Sequence, residues 1–194
     1  TVFSTGSVNT SAVGAYTITY SATDSEGNEG TATRTVNVVD TTKPVITLTG
    51  DDVTLEVGGS YVDPGATFSD NYDTNLTVTI DSSAVDASVL ATYYVFYSAT
   101  DSSGNQADEV TRAVTVVDQT SPVITLNGNA VVTIEMGTSY EELEAAASDN
   151  YDGEVSVAIG GDTVDATTVG DYFVTYTAVD GSDNTTTATR KVTV

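Results

Sequence analysis

"VDASVLATYYVFYSATDSSGN", residues 85–105, is the stretch on which the reading of this chain turns. It starts with small and polar residues and gathers Tyr93, Val95 and Tyr97 on one side of an alternating run. It stops at Asp101, which a Ser/Gly/Asn turn follows. Side chains alternate across a strand with period two, so the run reads as a β-strand entering a tight turn. The stretch recurs at residues 8–28 as "VNTSAVGAYTITYSATDSEGN" and, altered, at 164–184 as "VDATTVGDYFVTYTAVDGSDN".

The recurrence extends beyond this segment. Asp24, Asp101 and Asp180 lie 77 and 79 residues apart, Arg34, Arg112 and Arg190 lie 78 apart, and Pro44 and Pro122 also 78. "PVITLTG" matches "PVITLNG", and "FSDNYDTN" matches "ASDNYDGE". The chain is therefore a tandem array with a period of about 78 residues. Within a repeat, "VTLEV", "LTVTI", "YYVFY" and "RAVTVV" are short runs of strand-forming residues punctuated by Gly, Asn, Asp and Ser. "YEELEAAAS" (140–148) holds helix formers, but it aligns with "YVDPGATFS" (61–69), where Pro64 and Gly65 forbid a regular helix interior; both are expected as strands.

About seven strands per repeat give an all-β fold of tandem immunoglobulin-like antiparallel β-sandwiches. Residues 40–117 and 118–194 form complete repeats, and 1–39 the C-terminal half of one. Val8 aligns with Val85 and Val164, so Thr1 reads as the start of a fragment, inside a strand. Half a sandwich leaves a core face and strand edges uncovered. Two readings stay open: a window on a longer array, or a chain whose missing strands are donated by another copy to build a homopolymer.

Composition narrows the partners. With 28 Asp and Glu against 5 Lys and Arg, the net charge of -23 repels nucleic acid and anionic membranes and favours cations. Hydrophobic residues make up 39% of the chain, too many for a disordered acidic tail. Apolar runs are too short and broken for a transmembrane helix. Cys and His are absent, which removes disulfides, thiolate sites and the commonest general base. Trp is absent as well, which weakens a sugar-stacking site.

The segments "DTTKPVITLTGDDVTLEVGGSYVDPGATFSDNYDTNLTVTI" and "YYVFYSATDSSGNQADEVTRAVTVVD" resemble the Ig-like repeats of bacterial surface proteins. They are similar too to hyalin-repeat modules, with their Y-x-A-x-D-x-x-G-N signature. The resemblance covers residues 40–194 as two full repeats and 1–39 as a partial one. It implies an extracellular, cell-surface or secreted setting and a role as stalk, spacer, filament segment or adhesion unit. The third repeat departs from the pattern. It lacks the Pro-Gly of "YVDPG" and the turn glycine of "DSSGN", so differently shaped loops are expected there.

In such a sandwich the entering linker and the B–C and F–G loops share one pole. That brings Asp40, Asp70, Asp73 and Asp101 together at a first joint, and Asp118, Asp149, Asp152 and Asp180 at a second. Crowded carboxylates repel one another unless a cation intervenes, and an all-oxygen set on flexible loops favours Ca²⁺. The competing role for each aspartate is to cap a turn by accepting backbone N–H groups.

Three tyrosine pairs, Tyr16/Tyr20, Tyr93/Tyr97 and Tyr172/Tyr176, read as core packing or tyrosine-corner bonds. Arg34, Arg112 and Arg190 read as structural ion-pair partners. Asn9, Asn75 and Asn184 begin glycosylation sequons, which arise often by chance in a Thr-rich chain. No unique carboxylate constellation stands out, because the acids recur once per repeat, so an enzyme is not expected. The rival to a pure spacer is an adhesin module that binds a surface glycan or protein receptor.

Overall fold

The computed structural model describes all residues, Thr1–Val194. All sixteen elements are strands. They are β1 (Val2–Thr5), β2 (Gly14–Thr23), β3 (Glu29–Val38), β4 (Val45–Leu48), β5 (Val53–Glu56), β6 (Ala66–Ser69), β7 (Thr79–Asp81) and β8 (Thr92–Ser98). There follow β9 (Val110–Val117), β10 (Val123–Leu126), β11 (Val131–Thr133), β12 (Ala145–Asp149), β13 (Gly153–Val155), β14 (Val157–Gly161), β15 (Asp171–Val179) and β16 (Thr185–Thr193). The all-β tandem architecture expected from the repeat pattern is the one observed.

Two compact units divide the chain. The first comprises Thr1–Val53, Val62–Val85 and Tyr94–Ala113. The second comprises Thr54–Tyr61, Asp86–Tyr93 and Val114–Val194. The first unit contains a three-stranded antiparallel sheet, β1-β2-β3, in which Tyr20 lies opposite Ser4 and Ala32. It also contains the antiparallel pair β4-β6, with Ile46 opposite Phe68. The middle repeat's other sheet has the order β5-β9-β8-β7.

The second unit holds the whole third repeat. One sheet runs β10-β12-β13 and the other β11-β16-β15-β14. Within the latter, β11 joins β16 in parallel, with Val132 opposite Val192. Alternation places Val174, Tyr176 and Ala178 of β15 inward, and all three are buried. Their outward neighbour Phe173 is 48% exposed. Burying a Val or Tyr of this kind contributes about 1.5–3 kcal/mol, which offsets the ordering of the strands.

Two expectations need correction. Residues 61–65 and 140–144 are irregular and lie outside any strand, and only β6 and β12 after them are strands. The chain leaves the ladder there because Asp63 and Glu142 point inward to partner a buried arginine. "LTVTI" is likewise strand only from Thr79, because residues 76–78 take no partner in the ladder.

The expected difference in third-repeat loops does not appear in the backbone. Gly65 has φ 88° and its counterpart Glu144 φ 63°; Gly104 has φ 90° and its counterpart Asp183 φ 68°. The turns are kept, with non-glycine residues forced into the left-handed region, at a cost of about 1–2 kcal/mol for a residue such as Glu. Glu144→Gly should therefore stabilise the second unit by roughly 0.5–1 kcal/mol once glycine's extra chain entropy is subtracted. Asp183→Gly should gain less, since Asp tolerates this region better. Urea melts check this, and a lower midpoint for Glu144→Gly would contradict it.

Candidate metal centres

Each repeat's last hairpin closes on a turn that starts with the recurrent aspartate. Asp101 Oδ1 accepts the N–H groups of Ser103 (3.0 Å) and Asn105 (2.7 Å), while Oδ2 accepts Asn105 Nδ2 (2.7 Å). Asp180 repeats this with Ser182 N (2.9 Å), Asn184 N (2.8 Å) and Asn184 Nδ2 (2.9 Å). Asp24 does the same with Glu26 N (2.9 Å), Asn28 N (2.9 Å) and Asn28 Nδ2 (3.0 Å). These bonds, led by the one from Asn28, hold the exposed Asp24 carboxyl below its usual range. Asp24 has no carboxylate cluster around it. The recurrent aspartate is thus first of all a turn lock.

The asparagine that closes the turn has a second task, which the sequence reading missed. Asn105 Nδ2 also donates to the Asp40 carbonyl, and Asn184 Nδ2 to the Asp118 carbonyl, each at 3.2 Å. The hairpin is thereby tied to the incoming linker. The signal was present in the invariant spacing of Asn28, Asn105 and Asn184 within the repeats.

All eight predicted site residues fall into two groups of four. One oxygen from each of Asp40, Asp70, Asp73 and Asp101 lies within 4.8 Å of the others, and the same holds for Asp118, Asp149, Asp152 and Asp180. The first group lies wholly within the first unit and the second wholly within the second.

In each group the linker and B–C aspartates use one oxygen for a turn and leave the other over. Asp40 Oδ1 accepts Thr42 N at 3.0 Å, and Asp118 Oδ1 accepts Thr120 N at 3.2 Å. Asp70 Oδ2 accepts the N–H groups of Tyr72 and Asp73, both at 2.9 Å. Asp149 Oδ1 takes those of Tyr151 (2.8 Å) and Asp152 (3.2 Å). The remaining oxygens, Asp40 Oδ2, Asp70 Oδ1, Asp118 Oδ2 and Asp149 Oδ2, are buried without a hydrogen-bond partner. A buried carboxylate oxygen left in this state costs free energy.

Asp73 and Asp152 bridge to the neighbouring turn. Asp73 Oδ2 accepts Ser102 N (3.1 Å) and Ser102 Oγ (2.9 Å), and Asp152 Oδ2 accepts Gly181 N (2.9 Å). A Cβ at position 181 would stand 2.8 Å from Asp152 Oδ1, whereas the aligned position of the middle repeat accommodates Ser102 against Asp73.

Backbone N–H groups hold the Asp70 and Asp149 carboxyls below their usual range. Asp118 is pushed up, first by desolvation and then by the charges of Asp149 and Asp180. The second joint has a further acid that the sequence reading missed. Glu56 accepts Thr120 Oγ1 at 2.7 Å and Gln119 N at 3.1 Å, bracing the linker that carries Asp118.

Such a donor set, oxygen only and with two partnerless buried oxygens in each group, fits a hard divalent cation of the Ca²⁺ type. Such an ion would neutralise the crowded charge.

Other predicted residues have ordinary roles. Tyr16, Tyr93 and Tyr172 donate to the carbonyls of Ala12 (2.9 Å), Val89 (3.2 Å) and Thr168 (3.0 Å), which are the corner bonds anticipated. Asn184 spends its amide inside the second joint, whereas Asn9 and Asn75 are exposed.

Several known proteins are similar to this chain. Hyalin of Lytechinus variegatus is 36% identical over 197 residues, covering 94% of this chain and 37% of hyalin. An uncharacterized 81.3 kDa protein of Acholeplasma phage L2 is 33% identical over 186 residues, covering 90% of this chain and 25% of that protein. The chain thus spans a quarter of the length of one of these relatives and a little over a third of the other. Among solved structures, the lipoprotein BT2262 from Bacteroides thetaiotaomicron aligns over 38% of this chain and 37% of its own, at 29% identity and a TM-score of 0.34. The family described as "Bacterial surface protein, Ig-like domain" matches at residues 1–38, 46–116 and 124–194, once per repeat. The chain belongs to this family of Ig-like repeats from bacterial surface proteins.

Proposed function

We propose that the chain is an extracellular stalk or filament segment, displayed on a cell surface, whose joints are stiffened by calcium. In this reading residues 40–117 and 118–194 are complete modules and 1–39 the C-terminal half of one. The observation that carries it is the pair of buried, partnerless carboxylate oxygens in each aspartate group. Asp40 and Asp118 would ligate from the linker, and Asp70, Asp73, Asp149 and Asp152 from the B–C loop. Asp101 and Asp180 would ligate while locking the last turn. Calcium supplies the positive charge that lets these carboxylates approach.

The mechanical consequence follows from which elements the ligands occupy. Without the ion, the first linker is held to the hairpin by the Asn105 bond to the Asp40 carbonyl and the exposed Lys43–Asp108 ion pair, and the second by the Asn184 bond to the Asp118 carbonyl. With it, the linker, B–C loop and last turn share ligands, and the linker loses its freedom to bend.

The absence of cysteine lets spin labels be introduced cleanly at exposed Thr31 and Thr111. Pulsed electron resonance on a chain carrying Thr31→Cys and Thr111→Cys should give a broad distance distribution in chelator. Millimolar calcium should narrow it, and Asp40→Asn should keep it broad. Equal widths with and without calcium would remove the stiffening role.

A further inference from the structure

Two buried arginines grip the main chain in the same way. Arg112 is fully buried and donates to the carbonyls of Thr49 (2.8 Å) and Asp51. Arg190, 1% exposed, donates through Nη2 to the Asn127 carbonyl and through Nε to the Asn129 carbonyl (3.0 Å), with Glu142 on Nη1. In each repeat, two carbonyls two residues apart must match the fixed spacing of one planar guanidinium. The residue between them is a glycine with positive φ, 76° at Gly50 and 83° at Gly128, a conformation that glycine adopts without strain. The residue before it differs: Thr49 in the middle repeat, Asn127 in the third.

Asn127–Gly128 is the chain's one Asn–Gly bond. Both residues are exposed. Neither the Asn127 side-chain amide nor the Gly128 N–H is engaged in a hydrogen bond within the protein. The turn asparagines differ, because Asn105 and Asn184 hold an aspartate carboxylate and a linker carbonyl with their amides. Glycine also carries no Cβ, so its nitrogen approaches a neighbouring side chain without hindrance. A free amide beside an unshielded, unbonded nitrogen is the arrangement in which asparagine cyclises. Two Asp–Gly bonds, at 152–153 and 180–181, are slower, because an ionised carboxylate resists nucleophilic attack, and the Gly181 N–H is already given to Asp152 (2.9 Å).

We propose that Asn127 is a site of spontaneous deamidation and that its isoaspartate product undoes the Arg190 clamp. The Gly128 nitrogen attacks Asn127 Cγ. The N–Cγ bond forms, and the amide nitrogen leaves as ammonia with the Gly128 proton. Water then opens the cyclic imide. Opening at Cγ gives an ordinary aspartate. Opening at the main-chain carbonyl carbon gives isoaspartate, in which the chain runs through the side chain and gains one methylene. The main-chain carbonyl at 127 then moves to the former Cγ, and its spacing from the Asn129 carbonyl no longer fits the guanidinium that held both. Thr49, which has no amide, leaves the equivalent clamp on Arg112 immune.

The test incubates the full chain in mildly alkaline buffer and follows it by peptide mapping, enzymatic methylation of isoaspartyl carboxyls and urea unfolding. Isoaspartate at 127 should form at least about tenfold faster than at any other Asn or Asp. The aged fraction should unfold at a lower urea midpoint in the second unit. Asn127→Thr, which installs the middle repeat's residue, should keep its midpoint through the same incubation. Freshly made Asn127→Asp, with the added charge but an unaltered main chain, should unfold like the fresh wild-type chain. Isoaspartate forming at 127 no faster than elsewhere overturns the proposal. So does an aged chain whose midpoint is unchanged. A fresh Asn127→Asp that unfolds as early as the aged chain overturns it as well, since charge rather than the clamp would then be responsible.

Discussion

Arg112→Ala should cost the chain about 3–5 kcal/mol, the usual penalty for removing one partner of a buried ion pair. The side chain is fully buried, and its truncation strands the carbonyls of Thr49 and Asp51, while the Gly65 carbonyl keeps only the Thr49 N–H. It also leaves Asp63 and the Tyr97 hydroxyl without their cation. Each stranded group must then stay desolvated or admit water by loosening the segment at 61–65. Against a typical domain stability of about 5–15 kcal/mol, the loss is large enough to unfold the middle repeat well before the rest. Arg190→Ala should act likewise through Glu142. The matched control is Arg34→Ala. That side chain holds the equivalent position but is exposed, so its removal should change stability by no more than about 0.5 kcal/mol. Urea unfolding of the three variants decides the matter. A result in which Arg112→Ala behaves like Arg34→Ala would contradict the account.

On the proposed calcium reading, chelation is the second large perturbation. Extracellular calcium modules bind with Kd of about 10⁻⁴–10⁻³ M. At roughly a hundredfold excess over Kd, one bound ion stabilises the folded state by about 2.7 kcal/mol. Chelation should therefore lower the melting temperature of both units by several degrees. Asp40→Asn should reproduce the effect in the first unit only, and Asp118→Asn in the second only. These isosteric changes are cleaner than Asp101→Ala or Asp180→Ala, which would also break the hairpin turn. An unchanged melt in chelator would return the aspartates to turn capping alone.

Much of this architecture is legible in the chain because it repeats. Strand-forming runs recur at a fixed period, and the period-two placement of Val95 and Tyr97, or Val174 and Tyr176, marks the core side directly. The aspartate groups were legible as well, since sandwich topology alone brings the linker, B–C loop and last turn to one pole. Hidden from the sequence were the individual side-chain bonds that pair one group with another far along the chain. Asp63 and Glu142 sit in segments that read as strand, and only the buried arginine 48 or 49 residues later explains why the chain leaves the ladder there. Glu144 and Asp183 keep glycine-type conformations because the surrounding bonds hold the turn. Asn127 N, for example, donates to the Glu144 carbonyl at 3.1 Å. Asn105 and Asn184 looked like turn residues, and their grip on the linker carbonyl appears only in three dimensions.

Calorimetric calcium titration of the intact chain tests the central claim most directly. Two ligating groups predict saturable uptake at both joints. Asp40→Asn should abolish the first joint's uptake and spare the second's, Asp118→Asn should do the reverse, and the double variant should bind none. No saturable uptake by the wild-type chain at millimolar calcium, or full uptake by the double variant, would contradict it.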